Sequence, residues 1–315
     1  MRLDRVTIGV DFSPASLGAA TWAARLFTDS ELFLVHVLEV PEPPAFLREW
    51  LAPSASMLDA ARQSATAQLE ELRTALHAEH LTTEVRMGRP AEELAASARE
   101  HGTDLVVVAR HGANLGPPRR LGSTADRLVR CSPAPVLLAT SVRGTVVRRL
   151  LVAIDDASTT PRVLDYARRL ARRLDAGITA LHVLSPAILH RVRGVSALHG
   201  SELSREDIQN EFRSLADRWI ARLIDGGIER GRVDTAIAFG DAAREILATA
   251  DRIDADMIVM GSRGAGAVRR ALLGSVVSEV LRDASRPVLV ALEPEDEIVP
   301  AATAEDAMLG QAVTT

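Results

Sequence analysis

The sequence predicts an α/β architecture: two tandem open sheets of five parallel strands, each with strand order 3-2-1-4-5 and helices on both faces. Three observations carry this. Short apolar runs of strand length alternate with stretches of helical period along the chain. The alternation occurs twice. Each half closes with the same unit, a strand, a glycine-bearing loop, a helix and a last short strand.

In the first half, residues 6–10 form the first strand and run into Asp11, Phe12, Ser13 and Pro14. Pro14 suits the first turn of a helix, where a missing N–H costs nothing, and the helix carries Leu17, Trp22 and Leu26 as far as residue 27. Residues 32–37 are the second strand. Pro41, Pro43, Pro44 and Pro53 then punctuate a loop that also holds Phe46 and Trp50. A long polar helix over 57–80 turns Leu58, Leu69, Leu72 and Leu76 inward. Residues 82–87 are the third strand. Gly88-Arg89-Pro90 turns the chain into a helix that buries Leu94, Ala95 and Ala98. Residues 104–109 and 136–139 are the fourth and fifth strands.

The second half follows the same plan. Residues 150–154 end at Asp155, and Val163, Tyr166, Ala167, Leu170, Ala171 and Leu174 trace one face of the next helix. A strand over 178–184 leads to a looser stretch, 185–204, and a helix over 205–225. Then come a strand at 233–239, Gly240, another helix and the apolar run 257–260. Gly261, Gly264 and Gly266 follow. From Gly274-Ser275, Val276, Val277, Val280 and Leu281 recur at helical spacing until Pro287, which precedes the last strand, 288–290.

Subtraction exposes the duplication. Asp11 and Asp155 differ by 144, and His36 and His182 by 146. Gly88/Gly240, Asp104/Asp256, Gly112/Gly264, Gly122/Gly274 and Pro135/Pro287 all differ by 152. That period is far too long for a solenoid, so each copy is a complete domain. The expected boundaries are 1–142 and 147–292, followed by an acidic, then small and polar tail at 293–315 that is expected to be disordered. The copies are expected to pack as an intramolecular pseudo-dimer that buries the edges of their fifth strands, Val136–Ala139 and Val288–Ala291. A further homodimer is compatible with the sequence but not readable from it.

Composition narrows the function. With 47% apolar and 25% charged residues the chain is globular. No apolar run reaches the roughly 18 residues of a membrane span, and the first residues lack the apolar core of a signal peptide. One cysteine, Cys131, excludes an internal disulfide and fits a reducing cytoplasm, where it reads as a small buried hydrophobe. The net charge of −5 argues against a nucleic-acid partner, despite the pairs Arg119-Arg120 and Arg269-Arg270. All 37 basic residues are arginine, so no Walker-type phosphate lysine exists. His36 and His182 lie in apolar strands as core histidines. Those at 101, 111, 190 and 199 show no metal spacing.

The chemistry concentrates in the closing units. Glycines let successive backbone N–H groups converge, and a helix N-terminus adds roughly half a positive charge. This predicts a phosphate above Gly264, Gly274 and Ser275. With order 3-2-1-4-5, Asp155 at the end of strand one and Gly261 at the end of strand four meet where the strand order reverses, the place where such sheets bind ligands.

Gly261-x2-Gly264-x9-Gly274-Ser275 between an apolar strand and a helix resembles the ATP-binding motif of the universal stress protein family. Asp155 after strand one, His182-Val183 in strand two and the terminal Pro-Val-Leu-Val agree with it, and the likeness covers residues 1–292 as two copies. The resemblance implies the fold of the adenine-nucleotide α-hydrolase group and a bound ATP, with Asp155 or Asp156 available to a Mg²⁺. It implies Asp155 and Val183 at the adenine, and Met260 and Gly261 near the ribose. Gly264, Gly274, Ser275 and Val276 then meet the phosphates, with Arg263 either at a phosphate or solvated in the loop. The alternative for Asp155 is a cap of the next helix, and for Ser275 a plain N-cap.

The copies differ. Asp11, Val37, Gly112, Gly122 and Ser123 repeat the site in the first copy, but Ala109 replaces Gly261 and Pro117-Pro118 fall inside the loop. Alanine adds a methyl and resists some backbone conformations, and each proline removes a donor. The first site is therefore expected to bind more weakly. The second copy departs as well, with Val277 where relatives often carry Ser or Thr. The implied function is a cytoplasmic, ATP-binding stress-response or signalling module, with the loops 41–56 and 185–204 as lids or partner surfaces. Little turnover is expected, since no arranged base or catalytic residue is visible. Two alternatives stay open: an interaction scaffold without nucleotide, and an ATP-consuming enzyme such as an AMP transferase.

Overall fold

The computed structural model describes residues 3–39, 54–112, 121–140, 146–155, 160–185, 233–262 and 273–292, together with seven helical positions between 206 and 218. The first copy runs β1 (Arg5–Gly9), α1 (Pro14–Leu26), β2 (Glu31–Leu38), α2 (Ala55–Leu76), β3 (Leu81–Met87), α3 (Pro90–Glu100), β4 (Leu105–Ala109), α4 (Ser123–Cys131) and β5 (Val136–Ala139). The second runs β6 (Arg149–Ile154), α5 (Thr160–Leu174), β7 (Gly177–Leu184), β8 (Val233–Phe239), α6 (Ala242–Arg252), β9 (Met257–Gly261), α7 (Ser275–Asp283) and β10 (Val288–Ala291). Each copy forms the expected parallel sheet, ordered β3-β2-β1-β4-β5 and β8-β7-β6-β9-β10. The two sheets are one: β5 and β10 pair antiparallel, Leu138 with Val288 and Val136 with Val290, giving ten continuous strands. The short fifth strands leave backbone groups unpaired unless something covers them, and each covers the other.

Strand alternation sorts the core into two layers. Val6, Ile8, Leu105, Val107, Leu137 and Leu289 face one side under α1, α2 and α5. Val35, Val106, Val108, Leu138, Met260 and Val290 face the other under α3, α4, α6 and α7. Both layers pass unbroken through the β5–β10 junction. Further ties cross it. The buried Tyr166 hydroxyl of α5 donates to the Asp104 carbonyl at 2.9 Å, and Arg173 pairs with Asp29 at 3.0 Å.

The landmarks of the duplication each hold a backbone group. Oδ2 of Asp104 accepts from the N–H groups of Asp4 and Arg5, and Oδ2 of Asp256 accepts from those of Arg148 and Arg149, fixing the start of the first strand of each copy. Gly88 and Gly240 sit at φ +144° and +159° and donate to Leu38 and Leu184, both at 3.1 Å. His36 and His182 hydrogen-bond through Nδ1 to the Val10 and Ile154 carbonyls at 2.8 and 2.9 Å, which makes them half-buried, satisfied core histidines. In α2, Leu69 is fully buried while Leu58, Leu72 and Leu76 are half-buried, and Ala65 is a buried position that the leucine spacing did not flag. The tail 293–315, the loops 41–53 and 186–204 and most of the helix expected over 205–225 lie outside the described residues.

Candidate functional site

The carboxyl edge of each half-sheet carries those residues named from the sequence that the structure describes. In the second copy, Ile154 stands opposite His182 and Ala153 opposite Met260. Continuing these registers, Asp155 comes level with Val183 on one flank and, on the other, with Ser262, the residue after Gly261. Asp155 also anchors the start of α5: Thr160 Oγ1 donates to its carbonyl at 2.6 Å and to its Oδ1 at 3.0 Å. Met260 is buried, and Val183 and Gly261 are half-buried. Arg263, Gly264 and Asp156 lie outside the described residues.

The glycine loops close identically. Gly122 N–H donates to the Arg110 carbonyl at 3.0 Å, and Gly274 N–H to the Ser262 carbonyl at 3.1 Å. Each glycine then serves as N-cap of its helix, with φ/ψ of −61°/144° and −60°/148° and no side-chain acceptor for the first turn. Glycine keeps this closure tight: a Cβ at 122 would stand 3.1 Å from the Arg110 carbonyl oxygen, and the backbone would have to give by a few tenths of an ångström. Ser123 and Ser275 follow as the first helical residues, so neither is the N-cap. The result, twice over, is a helix N-terminus whose first N–H groups carry no side-chain cap, facing an electronegative ligand's natural position.

In the first copy this edge encloses a cavity of about 220 Å³. Asp11, Val37, Gly112, Gly122 and Ser123, the five residues named from the sequence, all line it. Val35, Val37, Leu94 and Val108 make an apolar wall suited to a flat base, while Glu39 and Thr124 add polar groups that sequence reasoning missed. The alternation of β2 was the available signal for Val35, which shares a face with Val37. Asp11 is tied locally: its N–H donates to Ser16 Oγ at 3.2 Å and its Oδ1 accepts from Ser13 N–H at 3.0 Å. Ser13, not Asp11, caps α1, accepting from Ser16 N–H. Asp11 Oδ2 reaches to 2.4 Å from where a Cβ on Gly112 would stand, so the acid and the loop glycine do meet at the pocket.

Two expectations are corrected. Ala109 is an ordinary strand residue paired with Ala139, as Gly261 is with Ala291, so no unusual backbone at this position resists alanine. What separates the copies there is one methyl group. Cys131 is half-buried, its Sγ 3.8 Å from the Ala91 carbonyl, and burial pushes its thiol pKa up. Among the described residues no group of three or more His, Cys, Asp or Glu could hold a metal, and no helix is long and apolar enough to cross a membrane.

The model of the Universal stress protein family matches residues 2–140 and again 147–291. Universal stress protein Rv2623 of Mycobacterium tuberculosis is 28% identical over 315 residues, covering 91% of this chain and 96% of its own length. YxiE of Bacillus subtilis, also a universal stress protein, is 30% identical over 143 residues, 45% of this chain and 97% of its own. The crystal structure of a universal stress protein from Archaeoglobus fulgidus aligns with 94% of this chain and 98% of its own at a TM-score of 0.64 and 22% identity, a likeness of fold.

Proposed function

The chain belongs to the universal stress protein family as two copies in tandem, and from that premise we propose that it is a cytoplasmic ATP-binding stress-response module that acts by occupancy and not by turnover. One observation carries the reading. The acid at the end of the first strand and a glycine-capped, otherwise uncapped helix N-terminus converge on one pocket. The residues fit an adenine nucleotide chemically: a carboxylate accepts from the exocyclic amine, apolar side chains flank the base, and backbone N–H groups meet phosphate oxygens.

In the second domain, 147–292, we assign the adenine to Asp155 and Val183, the ribose to Met260 and Gly261, and the phosphates to Arg263, Gly264, Gly274, Ser275 and Val276. Asp155 or Asp156 would share in holding an accompanying Mg²⁺. The first domain, 1–142, offers Asp11, Val37, Gly112, Gly122 and Ser123 as the weaker site. Its cavity of about 220 Å³ is smaller than the roughly 300 Å³ at which ligand pockets usually begin. Bound, the nucleotide would supply the negative charge, and the chain's own residues would position it.

The test is the nucleotide content of the purified protein, read by chromatography after denaturation, beside a Gly274→Glu variant. About one ATP per chain, lost in the variant, is the expected result. About two per chain would make the first site an equal partner. No nucleotide, and no binding of added ATP or ADP, would replace this reading with a scaffold that works through protein partners.

A further inference from the structure

The antiparallel join of β5 and β10 has a geometric consequence. In each half the pocket lies at the carboxyl ends of the strands, and the helix that leaves it runs back to the opposite edge. Joining two such halves antiparallel sets the pocket edge of one against the helix C-termini of the other. The N-terminus of α7 belongs to the second pocket. Its C-cap, Ala284, lies beside the ends of β4 and β5 in the first copy.

Arg110 spans that gap. It is the first residue beyond β4, and its N–H donates to the Ala139 carbonyl at 2.9 Å while its own carbonyl accepts from Gly122 N–H at 3.0 Å. It is thus part of the closure of the first glycine loop. Its Nη1 donates to the Ala284 carbonyl at the end of α7, and its Nε donates to His111 Nε2 at 3.1 Å. Thr140 Oγ1 adds a longer contact to the Ser285 carbonyl, 3.4 Å. Burial pushes the guanidinium pKa below the usual arginine value, with nearby Asp283 opposing the shift. A half-buried cation at a helix C-terminus is favourable through the macrodipole, and an anion at the N-terminus of the same helix is favourable for the same reason. The duplication breaks here: Ser262 occupies the equivalent position, and the C-cap of α4 equivalent to Ala284 is Ser132.

We propose that Arg110, a residue of the first copy's glycine loop, is a positioning residue for the second copy's phosphate site: it grips the C-terminal end of α7, holds the N-terminal N–H groups of Ser275, Val276 and Val277 in place, and links the occupancy of the two pockets. This rests on the nucleotide reading above. The effect of the link on affinities is reciprocal, because coupling free energy is shared by both sites. A ligand that orders Gly112 and Gly122 orders Arg110 with them.

The experiment is calorimetric titration of the full chain with ATP, the second pocket identified as the heat lost in Gly274→Glu, combined with hydrogen exchange of α7 in the absence of nucleotide. Arg110→Ser installs the second copy's own residue. It is expected to weaken the second pocket about three- to tenfold and to speed exchange in α7 while α6 stays protected, with Arg110→Lys restoring most of both. If Arg110→Ser fails to fold, Arg110→Gln, which keeps a donor without the charge, reads the same two quantities. Unchanged affinity, or unchanged exchange in α7, overturns the proposal. Faster α7 exchange in a chain whose wild type binds no ATP supports the grip on the helix and fails the nucleotide reading instead.

Discussion

Gly112→Ala tests the pocket at its tightest point. A methyl at 112 would stand 2.4 Å from Asp11 Oδ2, against about 3.3 Å for an ordinary close carbon–oxygen contact, so the carboxylate must move by about 1 Å. It cannot move freely, because Oδ1 accepts from Ser13 N–H at 3.0 Å. Hydrogen bonds to charged groups contribute about 1.5–3 kcal/mol, and the exposure of Asp11 brings this one to the lower limit of that range or just below it, about 1–1.5 kcal/mol. Asp11→Ala loses the same bond without a clash. Each single variant is therefore expected to cost about 1–1.5 kcal/mol, and the double variant about the same, not the sum. Urea denaturation of the four proteins gives this coupling of about 1 kcal/mol directly. Strictly additive losses, or a neutral Gly112→Ala, would show that acid and glycine do not meet and would refute the geometry of the first pocket.

The remaining predictions concern stability. Arg86 binds Glu84, Glu93 and Glu100 at 2.6–2.9 Å in a half-buried cluster on β3 and α3 whose Glu100 end is exposed, so Arg86→Met is expected to lower stability in urea melts at neutral pH by leaving the half-buried Glu84 and Glu93 without their cation. For Glu84, burial opposes ionisation, but the Ser97, Arg86 and His101 partners outweigh it and hold its pKa below the ordinary value; the Arg86 bond does the same for Glu100. Carboxyls depressed in the folded state contribute stability above their unfolded pKa and lose it as pH falls through the folded one. The difference between wild type and Arg86→Met should therefore shrink as pH drops below about 4.5, and a gap that widens in acid would contradict the assignment. Tyr166 is the only tyrosine, and burial raises its phenol pKa far above 10. Its phenolate absorbance should appear only with unfolding, and stability should fall as pH rises past about 10, where the unfolded chain ionises first. Tyr166→Phe, which leaves the Asp104 carbonyl without that donor, is expected to cost about 1–2 kcal/mol in thermal or urea melts.

Most of the strands and helices were legible because they rest on local rules. β5 and β8 begin and end where the apolar runs do, and Pro14 and Pro90 open their helices as proline's fixed φ requires. The strand order followed from the repeated βαβ pattern, since parallel crossovers of one hand leave few arrangements. The equal offsets at Gly88/Gly240, Asp104/Asp256 and Gly122/Gly274 were visible as spacing. Their meaning was not: that Asp104 and Asp256 hold the start of a distant strand needs the pairing of β4 with β1 and of β9 with β6.

The sequence by itself determined the fold class, the duplication and the positions of the glycine loops, all of which depend on periodicity and on residues with unusual backbone freedom. The sequence also pointed to the fifth strands as the join, and the tertiary structure decided its form: β5 and β10 pair antiparallel, Leu138 opposite Val288, so that the two sheets become one. It also decided that Asp11 touches Gly112, that alanine at 109 keeps a plain strand backbone, and that Arg110 reaches Ala284 across the junction. The physical reason is distance along the chain. A residue's helix or strand preference is written in its neighbours, whereas a contact such as Arg110 to Ala284, 174 positions apart, exists only after both sheets have formed and turned antiparallel to one another.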